Sequence, residues 1–147
     1  MERVFPFVAT CGREVAEENP APADDVVAAF WWDAMQERVL EAALSFVAWD
    51  IETRFRLDQT VMMSPGAAQA SVWPIEEQRP LFALPGDVES RIGVWLTESF
   101  FMVPTKSVSG IRYASERDFR SCQVCRRAEC SHRAAAFDPA LWEELQG

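Results

Sequence analysis

The sequence predicts one mixed domain of helices and strands that carries a cysteine-rich tail, and three observations predict it. Residues 25–56 contain neither proline nor glycine and hold apolar side chains at helical spacing. Segments rich in β-branched and aromatic residues flank that run, at 4–10, 94–104 and 107–113. Three of the four cysteines and the only histidine fall within residues 121–133.

A chain of 147 residues is one domain, or a domain with a short appended module. Its 49% hydrophobic and 25% charged content is that of an ordinary globular protein. The net charge of −9 argues against a general nucleic-acid binder, because neutralising phosphates supplies most of such affinity. Against that background, six arginines between Arg112 and Arg133 face only Glu116, Asp118 and Glu129, so this stretch is basic and is expected to be a solvated loop or a site for an acidic partner. No apolar run approaches the length that spans a bilayer. The opening residues to Cys11 resemble a lipoprotein signal only faintly, since the apolar part is short, contains Pro6 and follows Glu2. The expected location is cytoplasmic, where cysteines serve metal or redox chemistry before disulfides.

In chain order, Val4 to Thr10 reads as a short buried strand that ends at Cys11-Gly12. Residues 13–24, with Pro20 and Pro22, read as a loop whose last residues cap the long helix. Ala28, Trp31, Met35, Val39, Ala42, Phe46 and Trp49 form the stripe expected to face the core, with Trp31 and Trp32 as packing residues. Met62 to Ala67 reads as a loop. Pro74 opens a short helix reaching Leu84, Pro80 limits it, and Asp87 caps a further turn that Gly93 closes. Residues 94–104 and 107–113 read as two antiparallel strands joined at Pro104-Thr105-Lys106. Glu98 interrupts the first of these, so it is expected at a sheet edge or in a buried polar network with Ser107 or Ser109. Asp138 and Pro139 start a last helix anchored by Trp142 and Leu145. No Ser/His/Asp set and no glycine-rich phosphate loop is present.

The cysteines carry the candidate chemistry. Cys122, Cys125 and Cys130 form a C-x2-C-x4-C run, and a fourth ligand would close a tetrahedral site. With Cys11 as that ligand, four thiolates suit an iron–sulfur cluster. With His132 instead, a Cys3His set suits zinc. The [4Fe–4S] reading is the favoured one and zinc is the alternative.

Several pieces resemble, in order, the reactivation (activation) domain of cobalamin-dependent methionine synthase and its stand-alone relatives in corrinoid metabolism. They are Ser64-Pro65-Gly66, Pro74-Ile75-Glu76-Glu77-Gln78, Gly93-Val94-Trp95-Leu96-Thr97-Glu98-Ser99-Phe100-Phe101-Met102-Val103-Pro104 and Lys106-Ser107-Val108-Ser109-Gly110. The resemblance covers about residues 4–115 and implies an α+β fold, a twisted antiparallel sheet with the long helix packed on it. Residues 1–115 would be the domain-like core, shortened at its N-terminus relative to the family, and 116–147 the cysteine-rich, metal-binding tail. The implied partner is a corrinoid protein or methyltransferase subunit, with homo- or hetero-oligomers as the form of association. In that family, as the resemblance implies, inactive cob(II)alamin is reduced by one electron and then trapped by methyl transfer from S-adenosylmethionine bound at this domain. Ser64, Pro65, Gly66 and Glu98 stand where such a ligand would be bordered. The family's Arg-x-x-x-Gly-Tyr motif falls on Met62, Gly66 and Ala67, so the arginine that clamps the ligand carboxylate is replaced. The resemblance therefore implies an accessory role in corrinoid-dependent methyl transfer, with electron delivery from the cysteine-bound metal, and casts doubt on S-adenosylmethionine as cofactor. A non-catalytic interaction module stapled by zinc and a degenerate binder of S-adenosylmethionine are the competing readings.

Overall fold

The computed structural model describes residues 3–20, 22–68, 72–130 and 133–146. Strand β1 spans Val4–Thr10, as the sequence predicts, and is followed by a five-residue helix α1 at Arg13–Glu17 within the stretch expected to be loop. The Asp25 carboxylate accepts a hydrogen bond from the Ala28 N–H (2.9 Å) and starts α2, Val26–Phe55. Arg56 ends that helix in the left-handed conformation.

Strand β2 (Thr60–Met63) follows, so Met62 and Met63 are paired strand where the sequence reads as loop, then a 3-10 turn at Ile75–Glu77 that runs into α3 (Gln78–Ala83). Asp87 caps α4 (Val88–Ile92) through the Ser90 N–H, and this hydrogen bond holds the Asp87 carboxyl below its usual range. The two-residue strands β3 (Trp95–Leu96) and β4 (Met102–Val103) pair with each other, and β5 covers Ser107–Ala114. The tail holds a 3-10 turn at Ser121–Val124 and α5, Pro139–Gln146, which Asp138 caps through the N–H groups of Ala140 and Leu141.

The main sheet has the antiparallel order β1-β5-β2, with Phe7 opposite Gly110 and Met62 opposite Arg112. Its central strand is therefore β5. Alternation along β1 puts Phe7, Ala9 and then Cys11 on the face covered by α2, where they pack with Leu40, Ala43, Leu44 and Val47. α3 packs against β5 as well. The fold is thus α+β, an antiparallel sheet with one long helix packed on it.

Two expectations need correction. The stripe expected to face the core is the outward face of α2. Trp31, Met35, Phe46 and Trp49 are 62, 55, 61 and 58% exposed, whereas Leu40 is 9% exposed. Apolar residues run along both sides of this helix, so periodicity alone selects no unique inner face. The segment 94–104 is not one strand. It is a hairpin that reverses at Glu98-Ser99, closed by Thr97 N–H to the Phe101 carbonyl (2.9 Å) and Phe101 N–H to Thr97 Oγ1 (3.1 Å). Consequently its strands pair together, and β1 and β2 take both edges of β5.

Candidate functional site

The pieces that carry the family resemblance gather around β5. Ser64-Pro65-Gly66 turns directly out of β2. Pro65 is buried, the Gly66 N–H donates to the Trp73 carbonyl (2.9 Å), and the Ala67 N–H donates to Ser64 O (3.2 Å). Gly66 has φ +73°, the left-handed conformation that glycine adopts without strain, and a Cβ there would also displace Ile75 Cδ1, 2.9 Å away. Ser64 Oγ and Ser109 Oγ are buried, with no hydrogen-bond partner among the described residues. Ser107 Oγ donates to the Pro104 carbonyl (2.7 Å) and lies 2.9 Å from Thr10 Oγ1, tying the start of β5 to the end of β1. The Val103–Pro104 peptide is cis.

Glu98 is exposed at the tip of the β3–β4 turn and does not join Ser107 or Ser109 in a buried network. Met62, where the resemblance would want an arginine, is half-buried against the core under α2. A groove of about 1150 Å³ opens beside the sheet, bordered by Val4, Phe55, Met63 and Tyr113 with Arg3 and Arg117. Its lining includes none of Ser64, Pro65, Gly66 or Glu98. Burial in that region raises the Tyr113 phenol above its usual range.

The cysteines occupy two environments. Cys11 is 4% exposed, belongs to the core cluster with Phe7, Ala9 and Leu40, and points its thiol at the Gly12 carbonyl (3.5 Å). Burial pushes its thiol up, against smaller lowering effects from neighbouring hydrogen bonds and Lys106. Cys122, Cys125 and Cys130 are free thiols of intermediate exposure. Among the described residues, no three His, Cys, Asp or Glu side chains come together as a metal ion would require. The described residues therefore do not assemble Cys11, Cys122, Cys125 and Cys130 into one ligand set. His132 lies outside the described residues.

Arg133 organises this tail instead. Its guanidinium donates to the carbonyls of Cys122, Ala135 and Cys125 (each 3.3 Å) and of Arg127. The Ala134 N–H donates to Cys122 Sγ (3.4 Å). Three further arginines of the basic stretch are also engaged. Arg126 stacks over Trp142 (5.8 Å to the ring centroid), Arg117 pairs with Glu144 (3.3 Å), and Arg120 lies 3.7 Å from Asp118. The stretch is a folded, internally bonded tail more than an open anion site.

Sequence reasoning missed one polar network. Arg112 Nε donates to Thr60 Oγ1 (2.9 Å) and Nη2 to the Thr60 carbonyl (3.0 Å), while Glu52 accepts from both the Thr60 N–H (2.7 Å) and its hydroxyl (2.8 Å). Burial lowers the Arg112 pKa and Glu52 opposes this. The network fastens α2 to β2 and β5. An arginine between Ile111 and Tyr113, inside a segment that reads as a strand, was the signal available.

A small antiparallel sheet under a long helix, with a glycine-dependent turn packed at its central strand, defines an α+β domain whose characteristic residues cluster at β5. Residues 59–127 match the model of the family described as vitamin B12 dependent methionine synthase, activation domain, so the resemblance to that domain holds over this segment. Among curated proteins and solved structures there is no significant match. The matched residues include β2, the Ser64–Gly66 turn, the β3–β4 hairpin, β5, Cys122 and Cys125. No helix among the described residues is long and apolar enough to cross a membrane.

Proposed function

We propose that this chain is an accessory protein of corrinoid-dependent methyl transfer that docks on a corrinoid protein or methyltransferase subunit through its activation-domain segment. The observation that supports the reading is the family match over residues 59–127. Within that segment the Thr97–Phe101 turn projects outward, with Glu98 exposed at its tip and Phe101 69% exposed. A charged tip beside an exposed aromatic suits a docking contact, since aromatic side chains supply much of the energy at protein interfaces. The test is titration of the chain into a methionine synthase cobalamin-binding fragment held as cob(II)alamin. The expected result is a saturable change in the cob(II)alamin electron paramagnetic resonance spectrum, weakened about tenfold, or about 1.4 kcal/mol, by Glu98→Arg with Phe101→Ala. A spectrum unchanged at about 100 μM chain would discard the proposal.

Ser64, Pro65, Gly66 and Glu98 would border a small ligand such as S-adenosylmethionine. With Met62 in place of an arginine the carboxylate clamp is missing, so calorimetric titration with S-adenosylmethionine is expected to give no saturable heat.

A second reading concerns the tail. Cys122, Cys125 and Cys130 are partly exposed free thiols close in sequence, and Arg133 already draws their loop together. A metal would close this segment as it bound, coupling uptake to local folding. Its fourth ligand would be His132 for zinc, or Cys11 for a [4Fe–4S] cluster. Cys11, packed in the core under α2, favours the first arrangement. Zinc would staple the tail, while a cluster would offer a one-electron donor. Anaerobic expression followed by metal and sulfide analysis separates these outcomes, and a chain that takes up neither ends this reading.

A further inference from the structure

We propose that the outward face of α2 is a two-fold interface with α2 of a second copy of this chain, the helices lying antiparallel and crossing near Leu40 and Glu41. This inference does not rest on the corrinoid reading. Met35, Val39, Ala42, Phe46 and Trp49 succeed one another at alternating intervals of four and three residues, the seam spacing of helices that pack along their length. All five are exposed, and Leu40, Ala43, Leu44 and Val47 fasten the opposite side of α2 to the sheet. The helix therefore already has its intramolecular partner, and a second apolar face remains.

The size order along that face fits a crossing of two identical helices. Crossing helices approach most closely at one point and diverge on either side of it. Here the small side chains, Val39 and Ala42, stand in the middle, while Trp31, Met35, Phe46 and Trp49 stand towards the ends. An axis between Leu40 and Glu41 sets Val39 beside Ala42 of the second copy and Met35 beside its Phe46. The bulkier pairs then fill the widening gaps.

Charge agrees with the same axis. Arg38 and Glu41 pair within the chain (2.7 Å) on one border of the seam, with side chains 80 and 51% exposed. The axis brings Arg38 within about two residues' rise of Glu41 of the second copy, and the converse, so two pairs merge into one reciprocal group. A parallel arrangement would set Arg38 against Arg38.

The apolar area is of the order that a modest two-fold contact needs. Trp31, Phe46 and Trp49 are each about three-fifths exposed, Met35 is more than half exposed and Val39 is 42% exposed, all on this one face. With aromatic side chains of roughly 150–250 Å², the face offers on the order of 600 Å² per chain, the upper end of the roughly 300–600 Å² of a monomer's largest apolar patch, and the bordering Arg38 and Glu41 bring it towards the about 800 Å² per partner of a standard interface.

The test is sedimentation of the full chain from low micromolar to about 100 μM concentration. The expected species has twice the 16.6 kDa chain mass. Phe46→Glu and, separately, Val39→Glu are expected to give monomers with unchanged circular dichroism, because both side chains lie outside the monomer's core. Arg38→Glu is expected to weaken the dimer several-fold, and Arg38→Glu with Glu41→Arg to restore it. A wild-type chain that stays monomeric overturns the proposal, as does a dimer that both glutamate variants leave intact. A monomer whose α2 face is covered by a different, stoichiometric protein overturns it too.

Discussion

Ser64 Oγ lies 2.7 Å from the point where a Cβ on Gly110 would stand, and the Met63 carbonyl oxygen lies 2.5 Å from it. The absent side chain of Gly110 is what lets the chain leave β2 and turn through Ser64-Pro65-Gly66 against the central strand. Gly110, the last residue of the Ser107–Gly110 motif, is thus a packing requirement of this turn.

Gly110→Ala is accordingly expected to destabilise the fold by about 2–3 kcal/mol, since the opposing atom is backbone and cannot swing away. Urea unfolding checks this, and a loss below about 0.5 kcal/mol would mean that the turn is not held where described.

Thr60→Val keeps the strand-forming shape but removes the hydroxyl shared by Arg112 and Glu52. The half-buried guanidinium then loses one acceptor, and a cost of about 1–3 kcal/mol is expected in the same unfolding experiment.

The two faces of α2 should differ in mutational cost. Leu40→Ala empties a site in the core and is expected to cost about 2–4 kcal/mol. Trp31→Ala, measured at concentrations where the chain is monomeric, should cost under about 1 kcal/mol. Equal costs would place the core on the wrong side of the helix.

Cys11 should react with thiol reagents far more slowly than Cys122, Cys125 and Cys130, and at their rate only after unfolding. Its raised native pKa also has a defined pH signature. The native state holds the thiol proton more tightly than the unfolded state, so this stabilisation is complete below the unfolded thiol pKa and disappears as pH rises through the native value. A Cys11→Ala chain should lack this alkaline component of the stability profile.

Arg133→Lys keeps the charge but loses the planar fork that reaches several carbonyls at once. Faster amide hydrogen exchange over residues 122–130, with the sheet unaffected, is the expected outcome. Unchanged exchange would show that the tail is held by Val124 and α5 alone.

Local signals in the sequence were sufficient for much of this protein. Caps at Asp25, Asp87 and Asp138, the long uninterrupted helix, the strand at 4–10 and the Pro-Gly turns all follow from interactions within a few residues. So did the resemblance, read over about residues 4–115 and matched by the family over 59–115 of that span, because its motifs are contiguous words of sequence. Only the tertiary structure decided which side of α2 is inside, since both sides are apolar and the choice depends on what the sheet presents. It also decided that Trp95–Val103 folds back on itself, leaving β5 to pair with β1 and β2. The position of Cys11 was decided at the same level. Its alternation along β1 directs the thiol into the core under α2, a distant contact that no spacing among the cysteines encodes.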